Sequence, residues 1–213
     1  MLNTKLTCVY LCEQASKLTN KQPKRQAGFT LVELLVVIAI IAMLMIIAIV
    51  NFRGAEEASN LRNEAENVAG VIREAKNYAV SQKRIEDPDN PGTTFVPTEG
   101  YGAYFSKNNP TEYIIFADTG ASSSNYFDSA DDIIVEQGQM LPDVALDRIT
   151  YNNGVSEANE DTSLVFVPPD GQARFNIDAA SLLVGDVSLV LEGISGSTRT
   201  VTAYAATGAV EIE

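Results

Sequence analysis

From Leu34 to Val50 the chain reads LLVVIAIIAMLMIIAIV, seventeen residues without one polar side chain. Phe29, Leu31 and Val32 extend the run toward the N-terminus, interrupted by Thr30 and Glu33. Ile and Val would suit a buried strand, but strands rarely reach such a length, so the run selects a helix. At 1.5 Å per residue, Phe29–Val50 spans roughly 33 Å, enough to cross a hydrocarbon core of about 30 Å. A membrane-inserted helix is expected.

After Gly54 the pattern becomes amphipathic. Ala58, Leu61, Ala65, Val68, Ile72, Ala75 and Ala79 recur at spacings of three and four. Glu56, Glu57, Arg62, Glu64, Glu66, Arg73 and Lys76 are read onto the other faces. No Pro interrupts before Pro88. One helix from Phe29 to Arg84 is predicted, roughly 84 Å if continuous. Gly54 is the expected point of bending or melting.

Glu86–Gly100 is rich in Pro, Gly and Asp and reads as a loop. Beyond it the period becomes two. Strands are predicted at Tyr101–Ser106, Glu112–Ala117, Ile133–Gln137, Val144–Thr150, Leu164–Val167, Ala173–Ile177, Val187–Glu192, Thr198–Ala205 and Ala209–Ile212. Turns are expected at Pro168–Gly171, Gly193–Ser197 and Ala206–Gly208. Short, regularly spaced strands after one long helix give an α+β fold with antiparallel sheets.

Charge changes the picture in two ways. Overall, 15 Lys+Arg stand against 28 Asp+Glu, a net −13, which disfavours a nucleic-acid partner. The first 28 residues are the opposite, with Lys5, Lys17, Lys21, Lys24 and Arg25 against Glu13 alone. Basic flanks stay cytoplasmic, so Met1–Gly28 is expected inside and the chain beyond Val50 outside. No small-residue cleavage site follows the apolar run, as a secretory signal peptide would require. The chain has no His and two Cys, Cys8 and Cys12, both before the run. Ser-His-Asp and Cys-His catalysis, His-ligated metals and four-cysteine zinc sites are excluded. No enzyme and no resident cofactor are expected.

The junction reads Lys24-Arg25-Gln26-Ala27-Gly28-Phe29-Thr30-Leu31-Val32-Glu33-Leu34-Leu35. It closely resembles the N-terminal motif of type IV pilins and pseudopilins. The resemblance implies cleavage between Gly28 and Phe29 by a prepilin peptidase. The same enzyme would N-methylate Phe29. Glu33 would be the hallmark acid that pairs with the N-terminal amine of a neighbouring subunit in a filament. Physically, a Gly lets a protease bring its catalytic groups close to the scissile carbonyl. A charge at membrane depth costs about 2.5–3.5 kcal/mol at a helix centre and wants a partner.

The implied organisation is a cleaved leader (1–28), a transmembrane or filament-core helix (29–53), its amphipathic half (54–85) and an antiparallel β ectodomain (86–213). The mature chain would keep 10 Lys+Arg and 27 Asp+Glu, and no Cys. The implied partners are the peptidase/N-methyltransferase, other pilin-like subunits and the membrane, with no nucleic acid. The leader is longer than is common in that family, and no Pro interrupts the apolar segment.

Phe166–Gly171 and Ser195–Ile212 resemble the ectodomain of H-type minor pseudopilins, in which three C-terminal strands are typical. A minor subunit of a secretion pseudopilus or type IV pilus is the expectation. A tip-located binding module for exported substrate or a surface, and a competence-filament subunit, are the alternatives.

Asp118–Asp132 offers the oxygen ligands Asp118, Asp128, Asp131 and Asp132. Their spacing does not match an EF-hand. Major pseudopilins of the secretion type bind calcium in a loop, so resemblance keeps calcium as the weaker alternative. A solvated surface loop is expected.

Overall fold

The computed structural model describes residues 28–87, 90–120, 126–151, 156–158, 161–177, 181–183 and 185–213. Cys8, Cys12 and the basic leader residues lie outside them. The chain divides into two units, the first ending at Ile49 and the second running Val50–Glu213.

One α-helix, α1, runs Leu31–Val80. It starts where Thr30 and Glu33 satisfy its first free amides. It ends short of the expected Arg84 because a Schellman closure forms. Gln82 takes a left-handed φ of 50°. Its amide bonds Ala79 O at 3.1 Å, and the Lys83 amide bonds Tyr78 O at 3.0 Å. Helical backbone is continuous through Gly54, so the expected melting there does not occur.

The described strands are β1 (Ile85–Glu86), β2 (Thr94–Phe95), β3 (Gly100–Ser106), β4 (Glu112–Asp118), β5 (Ile133–Gln139), β6 (Val144–Tyr151) and β7 (Ser156–Ala158). They continue as β8 (Asp161–Val167), β9 (Gln172–Ile177), β10 (Ser181–Leu183), β11 (Val187–Gly193), β12 (Thr198–Tyr204) and β13 (Ala209–Ile212). Every predicted strand has its counterpart, with ends shifted by a few residues. The loop predicted at Glu86–Gly100 instead carries the β1–β2 ladder and the first residue of β3. The short strands β7 and β10 lay outside the predicted set. A six-stranded sheet has the order β10-β9-β8-β3-β4-β5, and a five-stranded sheet the order β13-β12-β11-β6-β7. All pairs are antiparallel, so the architecture is α+β. The last three strands form a meander, β11 to β12 to β13.

Within the second unit, the C-terminal half of α1 shares one apolar core with both sheets. Leu61, Ala65, Val68, Ile72, Ala75 and Ala79 are buried there. They meet Tyr101, Phe105, Ile115, Leu164, Phe166 and Phe175 of the first sheet, and Ile149, Leu189, Leu191 and Val201 of the second. Ala58, read as the start of this stripe, is exposed; burial begins at Leu61.

Glu64 corrects the sequence reading in the other direction. Its spacing reads onto a solvent face, yet only 3% of it is exposed. Oε1 accepts from Asn67 Nδ2 at 2.8 Å, and Oε2 accepts from the Leu141 amide at 3.1 Å. The carboxylate thus ties the β5–β6 connection to the helix. Glu64→Ala leaves that amide without its acceptor, a loss of about 1–3 kcal/mol. A fall of several degrees in the thermal midpoint is expected by circular dichroism. An unchanged midpoint shows that the tie carries no weight.

A second tie lies nearer the start of this unit. Glu57 Oε1 accepts from the Ser195 amide at 2.6 Å and from Ser197 Oγ at 3.4 Å. These bonds hold its carboxyl below the usual range and fix the β11–β12 turn to α1. Further along, Arg73 donates to Val210 O at 2.9 Å, and Lys76 donates to Thr207 O at 2.9 Å and Gly208 O at 3.1 Å.

The alternation in β3, β4 and β8 also builds an outer face on the six-stranded sheet, with Gly102, Tyr104, Phe116 and Val165. Phe116 and Val165 are fully buried although they point away from the main core. A Cβ on Gly102 would sit 2.4 Å from the Phe116 ring, so this close packing requires glycine. The cover comes from the segment after residue 125. Phe127 packs on Tyr104 and Phe116 with ring centroids 5.0 and 5.2 Å apart, and Tyr126 meets Tyr104 edge-on at 6.0 Å.

Candidate functional site

The start of α1 is an N-terminal capping box. Thr30 is the N-cap residue and Glu33 the third helical residue. Thr30 Oγ1 accepts from the Glu33 amide at 3.2 Å. Glu33 Oε2 accepts from the Thr30 amide and from Thr30 Oγ1, both at 2.9 Å. Two otherwise free backbone donors are satisfied, and a negative charge sits at the positive end of the helix dipole. The sequence reading assigned Glu33 and passed over Thr30. The signal was present: Thr-x-x-Glu immediately before an apolar run is the capping-box pattern. Glu33 therefore has a local role before any partner is considered. Among the described residues its Oε1 has no partner.

Gly28 and Phe29 lie just before this cap, outside the helix, and both are exposed, Phe29 by 87%. A Cβ on Gly28 would meet nothing within 4 Å. The segment from Gly28 to Thr30 thus presents non-helical backbone, the form in which a protease engages a chain.

Behind the cap, Leu31–Ala48 has a mean hydropathy of 3.1, and none of it is buried. Val36, Ile40, Met43 and Ile47 are all about half exposed or more. A helix apolar on every face, with no core of its own, belongs in lipid or among other helices. It is long and apolar enough to cross a membrane.

Residues 23–49 match the family model of the prokaryotic N-terminal methylation motif. The match takes in Gly28, Phe29, the Thr30–Glu33 box and nearly all of the exposed apolar helix. No curated protein and no solved structure matches the chain.

The four aspartates considered for calcium lie around one end of β4. Asp118 is buried, and its Oδ1 accepts from the Gly120 amide at 2.9 Å. Asp128, Asp131 and Asp132 form a single turn. The Asp132 amide bonds Asp128 O at 2.8 Å, and Asp132 Oδ2 accepts from the Asp128 amide at 2.8 Å. Asp128 Oδ1 accepts from the Ala130 amide at 2.9 Å. Asp131 is exposed and contributes its backbone carbonyl to Thr119 Oγ1. These carboxylates bond the turn's own amides. Among the described residues no group of three His, Cys, Asp or Glu is placed to hold a metal ion.

Proposed function

We propose that this chain is a prepilin-type subunit, cut between Gly28 and Phe29, N-methylated on Phe29 and assembled into a filament through its apolar helix. The observation that carries the reading is the coincidence of the methylation-motif match with a helix exposed and apolar all round. The basic leader stays in the cytoplasm, and the β ectodomain faces outward. The helix waits in the cytoplasmic membrane and then packs against helices of other pilin-like subunits. Glu33 sets register there by pairing with a neighbour's N-terminal amine. The C-terminal meander supports placing the chain with H-type minor pseudopilins of a secretion pseudopilus or with related minor pilins.

Photo-crosslinking in the native membrane tests the assembly reading. A crosslinker at Ile40 or Met43 should capture other subunits that carry the methylation motif, and only when the leader can be removed. The rival, a tip-located module that recognises exported cargo or a surface, predicts in addition strong crosslinks from the β ectodomain to that cargo, which the purely structural reading does not.

A further inference from the structure

The turn between β11 and β12 holds an isoleucine out in solvent. Ile194 is 77% exposed, more than any other large apolar residue described beyond Ile49. It is not a loose tip. Glu57 of α1 accepts from the amide of Ser195, the next residue, and from the Ser197 hydroxyl. The Gly193 amide bonds Ser197 O at 2.9 Å and closes the turn. A Cβ on Gly193 would sit 2.8 Å from Glu57 Oε1, so the glycine is what admits the carboxylate. Side chain and backbone together fix an apolar residue where the fold leaves it uncovered.

Beside Ile194 runs a groove of about 510 Å³. The buried Val144 and Leu146 lie beneath it, and Pro110 and Pro142 line it too. Ile194 also borders a second hollow of about 330 Å³ against Glu56, Glu57 and Asn60 of α1, and Asp143 is common to both. The rim is acidic. Asp143, Asp147 and Glu192 line the larger hollow and Glu56 the smaller, with Lys107 the single basic residue among the described lining. Arg148 engages Asp147 at 3.2 Å. Glu56, Asp143 and Glu192 pair with no cation among the described residues.

We propose that this groove docks a basic, apolar-centred segment of a different pilin-like subunit, and that its charge rejects a second copy of this chain. The proposal rests on the assembly reading above and adds which kind of neighbour fits. A rigid apolar anchor ringed by polar groups that exclude water is where protein interfaces concentrate their binding energy, and holding the anchor in place beforehand removes an ordering cost. Unpaired carboxylates on the ring favour Lys or Arg and penalise an acidic partner. A second copy is a poor source of cations. Its acidic residues far outnumber its basic ones. Arg62, Arg73, Lys76, Arg84, Arg148 and Arg174 already engage acceptors of their own fold. Self-docking would set acid against acid.

Photo-crosslinking of the full chain in its native membrane tests this, with the probe at Pro142 on the rim and, in a parallel chain, at Ile40 of the apolar helix. Pro142 should capture a subunit other than this chain that carries the methylation motif, through a peptide in which Lys or Arg flanks an apolar residue. Ile194→Asp should lower that yield about tenfold, and so should Asp143→Lys combined with Glu192→Lys. Both variants should keep the Ile40 crosslink and the thermal midpoint, because Ile194 is exposed and neither carboxylate is paired within the described fold. Capture at Pro142 of a second copy, of exported cargo or of a segment without Lys or Arg overturns the proposal. So does a Pro142 yield that ignores either variant. A normal Ile40 crosslink with none at Pro142 overturns the groove and leaves assembly standing. Silence at both positions overturns the assembly reading and the groove with it.

Discussion

Gly28→Leu should enter the membrane and stay at precursor length, with Phe29 unmethylated. Nothing lies within 4 Å of a Cβ built on Gly28, and the residue precedes the helix cap, so the chain itself has no reason to object. On the proposed processing, the penalty would fall on the enzyme that approaches the Gly28 carbonyl. Displacing a scissile bond by about 1 Å costs on the order of 10²-fold in rate. Gly28→Ala should be slowed less. A gel resolves precursor from product, because 28 residues are lost, and mass spectrometry of the new terminus reports methylation. Normal processing of Gly28→Leu would move the cleavage site elsewhere.

The second large effect is expected at Glu33, where two roles must be separated. As the third residue of a capping box it stabilises the helix start; in the proposed filament, as a charge at membrane depth, it would meet a neighbour's amine. Glu33→Gln keeps an acceptor for the Thr30 amide, since Gln serves in capping boxes, but removes the charge. It should be inserted and processed normally. Its recovery in filaments should fall by about 10²- to 10³-fold, because leaving the opposing amine unpaired in apolar surroundings costs roughly 3–5 kcal/mol. Glu33→Ala loses cap and charge together and should do no better. Filament recovery that is normal in Glu33→Gln and poor in Glu33→Ala would assign the residue to the cap alone.

The elements that could be read in advance were those with an unambiguous period. Seventeen uninterrupted apolar residues leave no choice but a long helix, and alternation placed the main strands. The Glu64 and Ala58 misreadings arose because the deciding packing came from a distant part of the chain; the others have local causes. Glu64 looks like a surface acid until the Leu141 amide reaches it. Ala58 has the right spacing for the buried stripe, but burial begins one turn later at Leu61. The end of α1 was missed because its left-handed residue is Gln82 rather than the usual Gly. The β1–β2 ladder is two residues on each strand, too short to show a period. Of the candidate site, Gly28, Phe29 and Glu33 were legible from local pattern. Thr30 was equally local and simply carried no family label. The aromatic cover of the six-stranded sheet was invisible for a different reason. Tyr126 and Phe127 sit in a polar, acid-rich stretch, and only the fold brings Tyr104 and Phe116 beneath them.

The Thr30–Glu33 box has a consequence for the energetics of leaving the bilayer. Before cleavage, the apolar segment carries one uncompensated negative charge. On the proposed processing, cleavage before Phe29 would create a positive amine within one helical turn of it, at a point where the helix dipole alone would repel a cation. The segment would become a zwitterion with no net charge. Moving it sideways from lipid into a helical bundle then transfers a dipole rather than an ion, and the solvation penalty for a dipole is far smaller. Proteolysis would in this way set the electrostatic cost of assembly in advance, with the cut acting as a charge-balancing step.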